Sequence, residues 1–157
     1  MAREGRMRRK LAVLAVFTAV LVALPVKANE KPTDAYQKAE KDLQAANNTL
    51  RNNVKNIDYP GLQKDAAAFK ESFSEMLQFW QEKKADDAVK FIQDGMKAAG
   101  DLETAAMAMN YNGVLAAQNA IVGSNGVAFE GGALPGVCVG CHLAHRQRMP
   151  DGSFEVK

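Results

Sequence analysis

Two cysteines and a histidine near the carboxyl end carry the clearest chemistry in this sequence. Residues 138–142 read C-V-G-C-H, the C-x-x-C-H pattern by which a c-type haem is attached to a chain. In such a site Cys138 and Cys141 form thioethers to the porphyrin, and His142 binds the iron as the proximal ligand. The sequence contains only these two cysteines and one further histidine, His145. It therefore predicts one covalently attached haem c.

Three other chemistries use the same residue types. A thioredoxin-like redox pair also reads C-x-x-C, but it sits in a βαβ scaffold, and no segment of this chain has the pattern of a strand. Zinc binds Cys and His, yet neighbouring helical residues point about 100° apart, so Cys141 and His142 would not converge on one ion. A disulfide is compatible with export but leaves His142 without a role.

The first 28 residues have the three parts of a secretory signal peptide. Five basic residues lie within residues 3–10, an apolar run covers 11–24, and small residues surround Ala28. The apolar run is shorter than the roughly 20 residues that a membrane-spanning helix needs. We therefore expect cleavage near Ala28, a periplasmic location, no stable membrane insertion afterwards, and one domain formed by residues 29–157.

Cleavage would also reverse the sign of the net charge. The whole chain has 20 basic and 18 acidic residues, whereas residues 29–157 have 14 basic and 17 acidic ones, about −3. The apparent basic character belongs to the leader. The sequence therefore gives no support to nucleic-acid binding.

The rest of the chain has the apolar periodicity of helices. Apolar residues recur at spacings of mostly three or four positions along three successive stripes, which predicts three amphipathic helices. The stripes consist of Tyr36, Ala39, Leu43, Ala46, Leu50, Val54 and Ile57; of Leu62, Ala66, Phe69, Phe73, Met76, Leu77 and Trp80; and of Val89, Ile92, Met96, Ala99, Leu102, Ala106 and Met109. Residues 114–122 predict a shorter fourth helix.

Turn-forming residues separate these segments. Thr33 or Asp34 can cap the first helix, 34–56; Asp86 or Asp87 can cap the third. Asn112-Gly113 is predicted to end the third helix, and glycine-rich residues 123–136 form a long loop. The haem motif is predicted to begin a last helical segment at Val137, which ends before Met149-Pro150. A turn at Asp151-Gly152 and an irregular tail follow.

Four such helices bury their stripes best as an antiparallel four-helix bundle. With the motif close to the carboxyl end, the all-α chain resembles the class II c-type cytochromes, the cytochrome c′ and cytochrome c-556 group. That family follows C-x-x-C-H with H-x-x-Y-R or H-x-x-F-R, where this sequence has His142-Leu143-Ala144-His145-Arg146. The resemblance implies that Arg146 lies near the proximal imidazole. His145 replaces the usual aromatic residue, and residues 123–136 also depart from the family.

The resemblance makes the sixth iron ligand the functional question. In the family the first helix covers the distal side of the haem, where a methionine gives an electron carrier and an apolar residue leaves an open iron. The first helix here has neither methionine nor histidine, so we expect Leu43 to lie over the iron. His145 is expected on the proximal side, exposed or hydrogen-bonded. The alternative ligands are the methionines of the second and third helical segments, Met76, Met96, Met107 and Met109.

These observations predict a monohaem cytochrome of cytochrome c′ type. Its iron would bind small gases such as nitric oxide or carbon monoxide, or exchange single electrons with redox partner proteins. The alternative is a six-coordinate, low-spin electron-transfer cytochrome with a methionine ligand. Peroxide reduction needs a polar distal group that no remaining histidine supplies, so we do not expect an enzyme. The resemblance implies a homodimer through the outer helices.

Overall fold

The computed structural model describes residues 30–123 and 136–157, and this part of the chain is mostly helical, which confirms the all-α prediction. The predicted signal peptide and the interior of the glycine-rich loop lie outside the described residues. The elements in chain order are α1 (Asp34–Asn56), α2 (Tyr59–Glu82), α3 (Asp86–Met107), α4 (Tyr111–Val122), α5 (Val137–His145), β1 (Arg146–Arg148) and β2 (Phe154–Val156).

Side-chain caps explain where several of these helices begin. The Thr33 hydroxyl accepts a hydrogen bond from the Tyr36 N–H at the start of α1. Asp58 does the same for Gly61 at the start of α2, where Pro60 fits because the first turn needs no N–H donor. The predicted bounds of α1 are confirmed at both ends.

Three predicted boundaries are wrong, and the first is the start of α4, which is Tyr111 and not Val114. Asn112 and Gly113 do not end α3 but lie within α4, because Asn110 accepts a hydrogen bond from the Gly113 N–H and caps α4. The α3 cap is Ala85, without a side-chain hydrogen bond. Asp86 and Asp87 lie in the first turn of α3 instead, where their negative charges interact favourably with the helix dipole and stabilise the helix.

The apolar stripes pack against one another between sequential helices, α1 against α2, α2 against α3, and α3 against α4. Most of the predicted stripe residues are buried in one core, with Trp80, Phe69, Leu50, Leu62, Leu102, Ile121 and Val114 the largest fully buried side chains. The last residue of two stripes is an exception, since Ile57 is 52% exposed and Met109 is 71% exposed. Both stand beyond a helix end in left-handed backbone, so the helical period no longer applies to them.

A small antiparallel hairpin corrects the expectation of an irregular tail without strands. β1 pairs with β2, and Glu30 forms a further bridge to Val156. The predicted turn is confirmed, since the Gly152 N–H donates to the Met149 carbonyl. Gly152 has a φ of 86°, which glycine adopts without strain. Strands of three residues are too short for alternation to predict, and Glu30 reaches them only through the tertiary fold.

Candidate functional site

The C-x-x-C-H motif lies on α5, which is packed against α3 and α4. Gly140, between the two cysteines, makes this packing close. A Cβ atom at that position would lie 2.7 Å from Cε1 of Phe91 on α3, well inside normal carbon contact. The glycine of the motif therefore sets how near α5 lies to the core.

A cavity of about 1060 Å³ opens beside the motif, and both Cys138 and His142 line it. This volume lies just above the range of about 300–1,000 Å³ that is usual for ligand and cofactor sites. Leu43 from α1 and Phe69 and Met76 from α2 supply apolar wall. Four basic residues also line the cavity, namely Lys31, Lys41, Arg51 and Arg146. Three acidic residues, Glu40, Asp151 and Glu155, line it as well, so the cavity combines apolar surface with charges of both signs.

The two thiols are free and differ in position. Cys138 faces the cavity, whereas Cys141 is buried in a neighbouring cleft lined also by Tyr36 and Trp80. Burial raises the pKa of Cys138 to about 11 and that of Cys141 to about 12. A thioredoxin-like redox pair needs a thiol pKa lowered below its ordinary value, so the structure disfavours that interpretation.

The His142 imidazole stands at the edge of the cavity with half of its side chain exposed. Its Nε2 atom lies 4.0 Å from Oε1 of Glu40 on α1. Burial, followed by the charge of Arg146, lowers the pKa of His142. The imidazole is therefore neutral at pH 7, with one ring nitrogen free to bind a metal. The same burial raises the pKa of Glu40, against the opposing charge of Arg146.

Arg146 has an unsatisfied donor in this site. Its guanidinium carbon lies 3.5 Å from the centre of the Phe154 ring, and its buried Nε has no hydrogen-bond partner among the described residues. Buried polar atoms are normally paired. A guanidinium on the wall of a large cavity is suited to bind a carboxylate, and the propionates of a haem are carboxylates. The resemblance to class II cytochromes also placed Arg146 near His142.

His145 does not line the large cavity, and its Nε2 side is neither exposed nor hydrogen-bonded among the described residues, the two alternatives expected for it. Its side chain is only 11% exposed, and its ring centre lies 4.9 Å from that of Trp80 and 6.5 Å from that of Phe91. Nε2 lies 3.1 Å from Oδ2 of Asp87, without the alignment of a hydrogen bond. His145 thus packs against two aromatic rings, those of Trp80 and Phe91.

The zinc interpretation finds no support in the arrangement of these side chains. Within residues 30–123 and 136–157, no three His, Cys, Asp or Glu side chains are grouped so that they could hold a metal ion. A haem differs from zinc here, because the porphyrin supplies four nitrogen ligands and the protein needs to supply only the axial ones. The residues present fit a covalent haem better than a zinc ion.

The residues considered for the distal side of the haem fall into two groups, those that line the cavity and those that do not. Leu43 is half-buried and lines the cavity as expected for it, and Met76 is the methionine that lines the cavity with it. Met107 and Met109 are 68% and 71% exposed and are not part of the cavity wall. Of the three aromatic residues in the apolar stripe of α2, Phe69 lines the cavity, Trp80 lines the cleft of Cys141, and Phe73 lies against Gly95.

Glu40 is the residue of this site that the sequence analysis did not identify. It lies one turn before Leu43 on α1, outside the apolar stripe, and lines both the cavity and the cleft of Cys141. Its position among charged residues gave no signal in the sequence. Only the placement of α1 beside α5 brings it to His142.

Comparison with protein-family models, with curated proteins and with solved structures found no match to this chain. In the part of the chain that the structure describes, no helix is both long and apolar enough to span a membrane. The arguments for function therefore come from the motif and from the geometry around it.

Proposed function

We propose that this chain is an exported monohaem c-type cytochrome of the class II type, with an antiparallel four-helix bundle as its framework and α5 carrying the haem. The observation that carries the proposal is that Cys138 and His142 of one C-x-x-C-H motif line a cavity of about 1060 Å³. The predicted removal of residues 1–28 belongs to the same proposal, because haem attachment to this motif takes place outside the cytoplasm.

The site residues have distinct roles in this proposal. Cys138 and Cys141 hold the porphyrin through thioethers, and Cys141 must turn from its cleft towards the cavity to do so. His142 supplies the proximal nitrogen, which is neutral because burial lowers its pKa. Arg146 lines the cavity and offers its guanidinium to a propionate. The haem, when bound, supplies a one-electron couple and a binding position for a small neutral ligand.

The distal surroundings favour the binding of small gases such as nitric oxide or carbon monoxide. Leu43 and Phe69 line the cavity with apolar surface, and neutral diatomic molecules need little hydrogen bonding to remain bound. His145 packs against Trp80 and is not available there as a proton donor. We therefore propose ligand binding or electron exchange, with no catalytic residue and no nucleic-acid partner; a homodimer is the assembly that the resemblance implies.

The second candidate is an electron carrier whose iron has a methionine as sixth ligand. Met76 favours it, because its side chain lines the cavity from α2. Met107 and Met109 are poor ligands, since both are exposed outside the cavity. Such a protein would be low-spin and would exchange electrons with a redox partner protein.

A spectrum and a mass of the purified, exported protein test these proposals. We expect a haem that stays attached in acid and organic solvent, and a reduced spectrum that changes when carbon monoxide is added. The matched control is a chain in which Cys138 and Cys141 are both replaced by Ala, which should carry no covalent haem. A native chain whose mass excludes haem would overturn the proposal. A low-spin reduced spectrum insensitive to carbon monoxide would favour the electron carrier, and Met76→Ala should then abolish that spectrum.

A further inference from the structure

Glu40 and His142 face each other at the edge of the cavity. Oε1 of Glu40 lies 4.0 Å from Nε2 of His142, and the two residues come from α1 and α5, which are far apart in the sequence. The Glu40 side chain is three-quarters buried. A carboxylate is thus held near the nitrogen that the motif offers to iron.

The distance between these two atoms suits a shared metal ion better than a direct contact. A hydrogen bond between nitrogen and oxygen requires about 2.7–3.2 Å, so the gap is too wide for one. Imidazole nitrogen and carboxylate oxygen bind a transition-metal ion such as zinc at roughly 2.0–2.2 Å each. On an ion that takes ligands on opposite sides, as a haem iron does, bonds of this length would place the two ligand atoms about 4.0–4.3 Å apart. The observed separation falls in this range.

We propose that Glu40 faces the haem iron opposite His142 and that its carboxylate is the sixth ligand of the ferric state. This inference rests on the proposed function and adds the residue that controls access to the iron. Leu43, one turn further along the same face of α1, remains the apolar wall beside it.

A carboxylate ligand makes gas binding depend on the oxidation state. Ferric iron has one more positive charge than ferrous iron, so it attracts the Glu40 carboxylate more strongly. If an external reductant such as dithionite supplied one electron, Glu40 would hold the iron less strongly. The released carboxylate would keep its electron pair and stay anionic, which would leave the position free for a neutral molecule such as carbon monoxide.

The experiment compares ferric and dithionite-reduced holoprotein of the native chain with the variants Glu40→Gln and Glu155→Gln. Glu155 lines the same cavity from β2, so its replacement removes an equal charge without removing the proposed ligand. We expect Glu40→Gln alone to change the ferric visible and electron paramagnetic resonance spectra. Relative to Glu155→Gln, Glu40→Gln should also increase the equilibrium constant for one-electron reduction of the haem more than tenfold. This corresponds to a reduction potential that is higher by more than about 59 mV. Carbon monoxide association with the reduced protein should change less than twofold.

A second measurement uses the native protein alone, so its result does not depend on how much haem-loaded protein a variant yields. The ferric protein is placed in water enriched in oxygen-17, and its electron paramagnetic resonance lines are recorded. The lines broaden if a water molecule is the sixth ligand of the iron, and they stay sharp if the Glu40 carboxylate is the sixth ligand. Sharp lines from a six-coordinate ferric iron support the proposal. Broadened lines, a five-coordinate ferric iron, or identical ferric spectra of the native chain and Glu40→Gln would overturn it. A native chain without covalent haem would instead refute the proposed function, so the two failures are distinguishable.

Discussion

The packing of the haem motif can be tested by replacing Gly140 with Ala. The new Cβ would lie 2.7 Å from Cε1 and 3.2 Å from Cζ of Phe91, whereas carbon atoms in good contact are about 3.5–4.0 Å apart. Either α5 must move away from α3 by several tenths of an ångström, or the Phe91 ring must turn. The ring lies edge-on to His145, so its movement would disturb a second contact of α5.

The expected size of the effect follows from two opposing contributions. Ala stabilises a helix interior by about 1 kcal/mol relative to Gly, and overpacking costs about 1–3 kcal/mol. Gly100→Ala is the matched control, because a Cβ on α3 at that position would have no neighbour within 4 Å. It should therefore gain the helix contribution of about 1 kcal/mol without a packing cost. The difference between the two variants should then be about 1–3 kcal/mol, equal to the packing cost alone.

Urea unfolding followed by circular dichroism measures this difference for the two variants and the native protein. We expect Gly100→Ala to raise the urea midpoint and Gly140→Ala to lower it or leave it unchanged. The haem content per chain of Gly140→Ala should fall as well, because α5 also positions the cysteines and His142. If Gly140→Ala were stabilised as much as Gly100→Ala, α5 would not pack against Phe91 as described, and the argument would be refuted.

Three further changes test the site and the core. His142→Ala should leave little haem-loaded protein while changing the free energy of unfolding of the haem-free chain by only about 0.5 kcal/mol, as for other partly exposed residues; a normal haem content with an unchanged spectrum would refute its role as ligand. Leu43→Ala should speed carbon monoxide association with the reduced protein and cost about 1–2 kcal/mol, less than the 2–5 kcal/mol of a fully buried leucine; unchanged association kinetics with lowered stability would make Leu43 ordinary core. Asp65 is buried and accepts hydrogen bonds from Thr49 and Asn53, so Asp65→Asn should cost about 1–3 kcal/mol at pH 7. Burial raises the pKa of Asp65 above its ordinary 3.8. The native state therefore binds the proton first as the pH falls, and the native chain should gain stability relative to Asp65→Asn between its folded pKa and 3.8. The measurement is the urea midpoint of the native chain and of Asp65→Asn from pH 7 down to about 4. A difference between the two midpoints that shrank as the pH fell would contradict this prediction.

Local patterns in the sequence determined most of the helical framework. The alternation of threes and fours along α1, α2 and α3 predicted which face of each helix is buried, because burial repeats with the helical period. Thr33 marked the start of α1 for an equally local reason, a side chain that can accept a hydrogen bond from the first turn. The residue types of 138–142 also predicted haem attachment, because C-x-x-C-H describes covalent chemistry within a single helical turn. Haem attachment stays a prediction.

Only the tertiary structure decided what stands around the motif. Glu40 comes within 4.0 Å of His142, and Met76 rather than Met107 or Met109 lines the cavity. These placements depend on how α1, α2 and α5 lie relative to one another, and no spacing along one helix encodes that arrangement. The sequence also could not distinguish Gly95, which would clash with Phe73 if it had a Cβ, from Gly100, which would meet nothing. A glycine has the same helix propensity at both positions, and its role depends on the atoms that a neighbouring helix brings beside it.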